Sequence, residues 1–228
     1  MNNNFGTKNL KKNGFTLAEV LITLGIIGVV VAMTIPTLMQ KYQEKQVVNQ
    51  LLATQSIMTR ALKLAEEEYG EVEGWEANQF DGASATIVAN KLKPFLKLTY
   101  DCGLQDTNGK CFENKMTKLL NGGNYENWAI NNKDYKIKLL NGTAISFATY
   151  PDRVTPIVFG VDINGKNPPN VMGKDIFLFR YENNSFRPSG ATDGKSVYPY
   201  TTYCFGKNAT GYGCAYWVVN NKNMNYLH

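Results

Sequence analysis

Residues 11–38 read KKNGFTLAEVLITLGIIGVVVAMTIPTL, and Glu19 puts a single carboxylate five residues into an otherwise uncharged apolar run. Between Glu19 and Lys41 no charged side chain occurs. About 21 residues at 1.5 Å per residue span roughly 31 Å, close to the hydrocarbon thickness of a bilayer, so the segment is a candidate transmembrane helix. Lys8, Lys11 and Lys12 precede it and no acidic residue does. That asymmetry predicts a cytoplasmic amino terminus and export of everything after Lys41. A secretory signal has a shorter apolar core, roughly 7 to 15 residues, followed by an A-x-A-like site. Neither feature is found, and the run is expected to be retained.

Retention makes Glu19 costly, on the order of 2.5 to 3.5 kcal/mol at the centre of an inserting helix and less near its end. One reading lets the carboxylate snorkel to the headgroups from the first turn of the span. The other cleaves the chain after Gly14, so that the new amine of Phe15 meets the Glu19 carboxylate of a neighbouring molecule, because paired charges are tolerated in apolar surroundings where isolated ones are not.

At these residues the chain closely resembles the type IV pilin and type II secretion pseudopilin superfamily. The matching run is K-K-N-G-F-T-L-A-E-V-L-I-T-L-G-I-I-G, and it covers, with its flanks, about residues 8 to 40. The resemblance implies a basic leader, a cut after Gly14, Phe15 as first mature residue carrying an N-methylated amine, and Glu19 as the assembly residue. Pro36 falls at the twenty-second mature position, where many members carry proline. Gly28 to Pro36 matches a stretch that can lose helicity in family filaments; a kink at Pro36 alone is the alternative. The implied partners are copies of the chain and other pilins or pseudopilins, a prepilin peptidase, and an inner-membrane assembly platform with its ATPase. The implied location is the bacterial inner membrane, single-pass, with the head periplasmic or extracellular and later in a filament.

Working outward, Lys41 to Glu68 lacks Pro and Gly, and Val48, Leu51, Met58, Leu62 and Ala65 recur on one helical face with Gln55 interrupting. Gly70 should end a rod about 80 Å long, kinked by a proline that cannot donate its backbone hydrogen bond. Ser84 to Leu98 suggests a short helix broken near Pro94, followed by a loop holding Cys102 and Cys111. Tyr135 to Leu140 and Thr143 to Thr149 read as a hairpin across Asn141-Gly142, whose residues accept positive φ. Val154 to Val161 and Ile176 to Tyr181 are further strands, with Pro156 arguing for an edge or an early break in the first. The expected fold class is α+β and pilin-like: a long kinked amino-terminal helix packed on an antiparallel sheet head with disulfide-braced loops. The expected division is leader 1–14, transmembrane segment 15–40, amphipathic extension 41–69 and exported head 70–228.

Composition supports a folded chain with an added segment: 43% hydrophobic and 19% charged residues exclude a disordered or collagenous chain. The net charge of +5 includes three leader lysines, so it argues little for nucleic acid. Four cysteines fall in two close pairs, Cys102 with Cys111 and Cys204 with Cys214. Local disulfides are expected on the oxidising side of a membrane, although sequence alone leaves three connectivities open. A zinc site is the rival, opposed by the spacing and by a lone histidine at position 228. That single histidine and the lack of nucleophile or phosphate-loop motifs speak against an exported enzyme. The acidic run Glu66, Glu67, Glu68, Glu71 and Glu73 reads as solvated surface. Tyr198, Tyr200, Tyr203, Tyr212, Tyr216 and Trp217 lie near Lys195, Lys207 and Lys222, a mix that could stack nucleic-acid bases in a DNA-uptake pilin or simply pack.

Residues 161–177, VDINGKNPPNVMGKDIF, are a candidate calcium loop. Asp162, Asn164, Asn170 and Asp175 offer hard side-chain oxygens, and the carbonyl of Lys166 another. Several pseudopilins hold calcium in a head loop, which extends the resemblance to this segment. The competing reading is a tight Asn164-Gly165 turn and a Pro168-Pro169 loop feeding a strand, with Asp175 capping or pairing Lys174 or Arg180. D-x-N-G-K is only a fragment of the EF-hand pattern. No other cofactor is expected.

Overall fold

The structure, a computed structural model, describes residues 14–151, 157–182, 184–192 and 196–228. The chain divides into two units, the first ending at Gln43 and the second comprising Glu44–His228. One helix, α1 (Leu17–Tyr69), contributes to both.

In the first unit α1 is helical without interruption through Gly28 and Pro36. The expected loss of helicity between those residues is therefore not seen in the single chain. Pro36 has no N–H for the carbonyl one turn before it. The nearby hydroxyls are all satisfied within the helix: Thr23 donates to the Val20 carbonyl, Thr34 to Val30 and Thr37 to Thr34, each at 2.9 Å. Such back-bonding lets polar side chains sit in an apolar segment without an unmet donor.

The second unit holds every buried residue in the described chain. After α1 come α2 (Gly82–Leu92), β1 (Leu98–Gly103), β2 (Tyr135–Leu139), β3 (Ala144–Thr149), β4 (Ile157–Asp162), β5 (Ile176–Glu182), β6 (Ser185–Pro188), α3 (Tyr200–Tyr203) and α4 (Cys214–Asn221). The six strands form an antiparallel sheet in sequence order. Alternate side chains explain the layering. Ile145, Phe147, Phe159, Val161, Phe177 and Phe179 lie in one cluster with Val48, Leu51, Met58 and Leu62 of α1 and Val88 and Leu92 of α2. Ala144, Ile176 and Leu178 belong to a second cluster, with Cys111, Phe112, Trp128 and Met172. Both faces of the central strands are thus covered, which is why β3 is buried at every position.

Several expectations are corrected. The polar member of the buried α1 stripe is Thr54, not Gln55, and its hydroxyl meets that of Thr143 at 3.2 Å. Cys102 lies on β1, an edge strand missed because LTYDCG carries little hydrophobic alternation. β4 is an interior strand paired on both sides and begins at Ile157, so Pro156, outside the described residues, does not mark an edge. In the β2–β3 turn only Gly142 has positive φ (91°), while Asn141 does not. Asn141 instead accepts the Thr143 N–H through its side chain, at 3.1 Å.

Candidate functional site

Gly14, Phe15 and Thr16 lead into α1 outside the helix. Thr16 and Glu19 cap the helix reciprocally. The Thr16 N–H and Oγ1 both donate to Glu19 Oε2 at 2.8 Å, and the Glu19 N–H donates to Thr16 Oγ1 at 3.2 Å. This is a capping box, satisfying two of the donors that a helix start leaves open. T-L-A-E was legible as one in the sequence and gives Glu19 a local task that charge reasoning overlooked. Phe15 is 89% exposed, and Leu21, Ile22, Leu24, Ile26, Ile27 and Met33 are exposed as well. The most apolar window of α1 has a mean hydropathy of 2.3 with none of it buried, long and apolar enough to cross a membrane. A Cβ added at Gly14 or Gly28 would meet nothing within 4 Å. Among the described residues, therefore, no packing demands glycine at either position.

The cysteines pair locally, Cys102 with Cys111 and Cys204 with Cys214, across Cα separations of 6.4 and 4.9 Å. With Sγ atoms bonded to each other, neither pair offers thiolates for zinc. Asp106, which lies beside the first pair, is occupied too: its carboxylate accepts the N–H groups of Lys110, Cys111 and Phe112 at 2.9, 2.6 and 2.9 Å. The tyrosine-rich segment packs on itself. Tyr200 stacks on Tyr216 (5.7 Å, 12°), Tyr198 meets Tyr203 and Tyr212, and Phe205 meets Trp217 edge-on at 4.7 Å. Lys207 and Lys222 are exposed, and Lys195 lies outside the described residues.

The β4–β5 loop places its candidate ligands unequally. Asp175 does not pair Lys174 or Arg180. It organises the loop, with Oδ1 accepting the Val171 N–H at 2.7 Å and Oδ2 the Asn170 N–H at 2.8 Å and Asn164 Nδ2 at 3.2 Å. Gly165 (φ 64°) makes the expected turn, and Lys166 is exposed on it. Asp162 is 1% exposed, pointing from the face of β4 that also carries Gly160. Its Oδ1 accepts the Asn164 N–H at 3.2 Å, whereas Oδ2, like Asn164 Oδ1, is buried without a hydrogen-bond partner. Burial, and then the Asp175 charge, push the Asp162 carboxyl well above the usual carboxylate range; burial also raises Asp175. Asp162 and Asn170 line a small cavity with Glu113, Thr117 and Trp128. Glu113 and Thr117 come from the segment after Cys111 and carry no signal in the sequence that would have joined them to this loop.

A second buried polar centre was also missed. Lys136 on β2 is fully buried, and its ammonium donates to the carbonyls of Leu104 (2.6 Å), Asp134 (2.8 Å) and Asn131. Asp134, buried nearby, accepts from Ser146 Oγ at 3.1 Å. Burial pushes the Asp134 carboxyl up to about 6 and the Lys136 ammonium down to about 8. The charge of each opposes the shift of the other. Y-K-I-K-L in a sheet reads as a half-exposed strand, and only the loop laid over its second face makes Lys136 interior.

An apolar exposed helix opening on Phe15 and Glu19, followed by a disulfide-bearing antiparallel head, defines a pilin-like α+β chain. Residues 9–35 match the family model of the prokaryotic N-terminal methylation motif, the prepilin signature of type IV pilins and pseudopilins. Residues 37–226 match the model described as Family of unknown function (DUF6613), and the chain belongs to that family. No curated protein and no solved structure matches it.

Proposed function

We propose that this chain is a structural subunit of a type IV pilus or type II secretion pseudopilus, processed after Gly14 and assembled through α1. The observation that supports it most is the apolar surface of α1 from Leu17 to Met39, which nothing in the described chain covers. An exposed apolar stretch of that size needs an apolar environment. Lipid supplies one before assembly, and the α1 helices of neighbouring subunits supply it afterwards. Glu19 is then tolerated because a neighbour's Phe15 amine pairs with it. A prepilin peptidase would free and methylate that amine, and an assembly platform with its ATPase would do the work of extraction. The two disulfides suit a head on the oxidising side of the membrane. The role is assembly rather than catalysis.

The glycine at position 14 provides the test. No described residue crowds it, so the need for glycine is assigned to the protease that must accept the backbone beside the cut. Replacing it, Gly14→Leu, should leave the uncleaved precursor in the membrane with a normally folded head. Intact-mass analysis showing normal removal of residues 1–14 from that variant would count decisively against this function.

A further inference from the structure

One row of side chains crosses the second face of the sheet from β2 to β5, with Lys136 opposite Ser146, Ser146 opposite Gly160 and Gly160 opposite Leu178. Ala148 and Val158 form the next pair on that face. Two long side chains thus flank two minimal ones, and the floor over Ser146, Ala148 and Gly160 is low. Trp128 takes up the part above Gly160, where an added Cβ would collide with its ring. The part above Ser146 and Ala148 is a hollow walled by Tyr125, Glu126, Trp128 and Asp134. Its free space, about 30 Å³ for the centres of water-sized groups, exceeds the roughly 10 to 15 Å³ that one water needs.

The polar groups of this hollow are one-sided. Asp134 is 7% exposed; Ser146 Oγ donates to its Oδ2 at 3.1 Å, and no described group donates to its Oδ1. Glu126, on the exposed rim, accepts Asn131 Nδ2 on Oε2 at 3.1 Å, and its Oε1 takes no hydrogen bond from a described residue. No described lysine or arginine forms an ion pair with either carboxylate. The lysines on either side of Asp134 in the sequence are directed elsewhere. Lys136 gives its three N–H donors to the carbonyls of Leu104, Asn131 and Asp134, and Lys133 lies over the Phe80 ring at 4.6 Å. A buried carboxylate oxygen without a donor is costly, and buried polar atoms are almost always partnered. The missing partner must therefore bring both positive charge and N–H donors.

We propose that this hollow binds a primary ammonium group carried on an alkyl stem, the chemistry of a lysine side chain. The ammonium donates to Asp134 Oδ1 and Glu126 Oε1, and the methylene beside it lies against Trp128 and Tyr125, whose rings meet edge-on (6.2 Å, 82°) and form a corner. Aromatic walls favour such a ligand, because their electron-rich π systems attract a cation that has left water. Size selects among cations: a methylene and an ammonium each take about the place of one water, whereas a guanidinium or a trimethylammonium is too broad. The site lies wholly in the second unit and does not depend on assembly through α1.

The test follows the tryptophan indole N–H signals by NMR in the full-length chain in detergent micelles. It is run at pH 7.5, above the value of about 6 to which burial pushes the Asp134 carboxyl. The chain has three tryptophans, and Trp128→Phe identifies the signal of Trp128. Butylamine at about millimolar concentration should shift that signal saturably and leave those of Trp75 and Trp217 in place. Butanol, and potassium chloride at equal ionic strength, should not shift it. Asp134→Asn should weaken butylamine at least about tenfold through the lost charge-assisted hydrogen bond. Should that variant fold poorly, Glu126→Gln on the exposed rim should still weaken it about two- to fivefold. Ala148→Leu, which fills the hollow without touching a charge, should abolish binding, and Glu68→Gln, in the exposed acidic run, should change nothing. Nα-acetyl-lysine amide binding as tightly as butylamine identifies a protein lysine as the ligand, and its failure beside butylamine binding identifies a free amine. The proposal is overturned if butylamine shifts no indole signal or all three alike, which would leave the hollow to water. It is equally overturned if potassium chloride reproduces the shift, or if Asp134→Asn and Glu126→Gln both bind butylamine as the parent does.

Discussion

Glu19 caps α1 in this chain, the proposed filament would give it a second task, and a set of three substitutions separates the two. As a capping residue it needs only an acceptor oxygen within reach of the Thr16 N–H, where it now stands at 2.8 Å. As an assembly residue it needs its charge. Thr16→Ala removes the hydroxyl that donates to Oε2 and accepts the Glu19 N–H, keeping the carboxylate. It should cost about 1 kcal/mol at the helix start, a few-fold in any equilibrium that α1 controls. Glu19→Gln keeps an acceptor for the cap and deletes the charge. If the Phe15 amine of a neighbour is buried against Glu19, leaving it unpaired costs about 3 to 5 kcal/mol, more than a hundredfold in the partition between membrane and filament. Glu19→Leu loses both functions and removes the charge penalty of insertion, so it should enter the membrane at least as well as the parent and assemble as poorly as Glu19→Gln. The assay is the fraction of subunit recovered in sheared, pelleted filaments, with intact mass confirming leader removal in each variant. Normal filaments from Glu19→Gln alongside failure of Thr16→Ala would refute the pairing and reduce Glu19 to a cap.

Other outcomes concern the second unit, Glu44–His228, which contains the whole described core. Lys136→Met should destabilise it by about 2 to 4 kcal/mol, because three carbonyls lose their donor at roughly 1 to 3 kcal/mol each, partly offset by removing a buried charge; an unchanged Tm would show that the carbonyls are satisfied otherwise. Lys136 has a folded value depressed from 10.5 to about 8, so the folded state binds fewer protons between those values. The wild-type head should therefore gain stability as pH rises from 8 to 10.5, and Lys136→Met should lose that gain in urea titrations. Asp134 behaves oppositely: its folded value is raised from 3.8 to about 6, so its contribution is fully present below 3.8 and lost as pH rises through 6. Asp134→Asn should flatten that slope, and a slope identical to wild type would exclude Asp134 as its source. At Gly160 an added Cβ would meet the Trp128 ring at 2.2 Å. Gly160→Ala should then lower Tm by about 3 to 10 °C with a red-shifted tryptophan emission, and a wild-type melt would show that Trp128 can move aside freely.

The amino-terminal third of the chain could be read without a structure because its information is local. A charge-free apolar run, a basic leader, the Gly14-Phe15 junction and T-L-A-E are properties of contiguous residues, and helix periodicity carries as far as Tyr69. The Asn141-Gly142 hairpin and the two short cysteine loops were legible for the same reason, since each closes within about ten residues. What the sequence could not show lies in contacts between distant segments. Strand β1 lacks a clear alternation and exists because it pairs with β2, nearly forty residues on. Strands β3 to β5 are buried on both faces only because the segment containing Phe112 and Trp128 folds over the sheet. That covering layer takes Lys136 out of water, presses Trp128 onto Gly160, and brings Glu113 to the loop of Asp162. Burial and unmet hydrogen bonds are sums over everything that surrounds an atom, so the tertiary fold alone decided which carboxylates lie at the surface and which are buried.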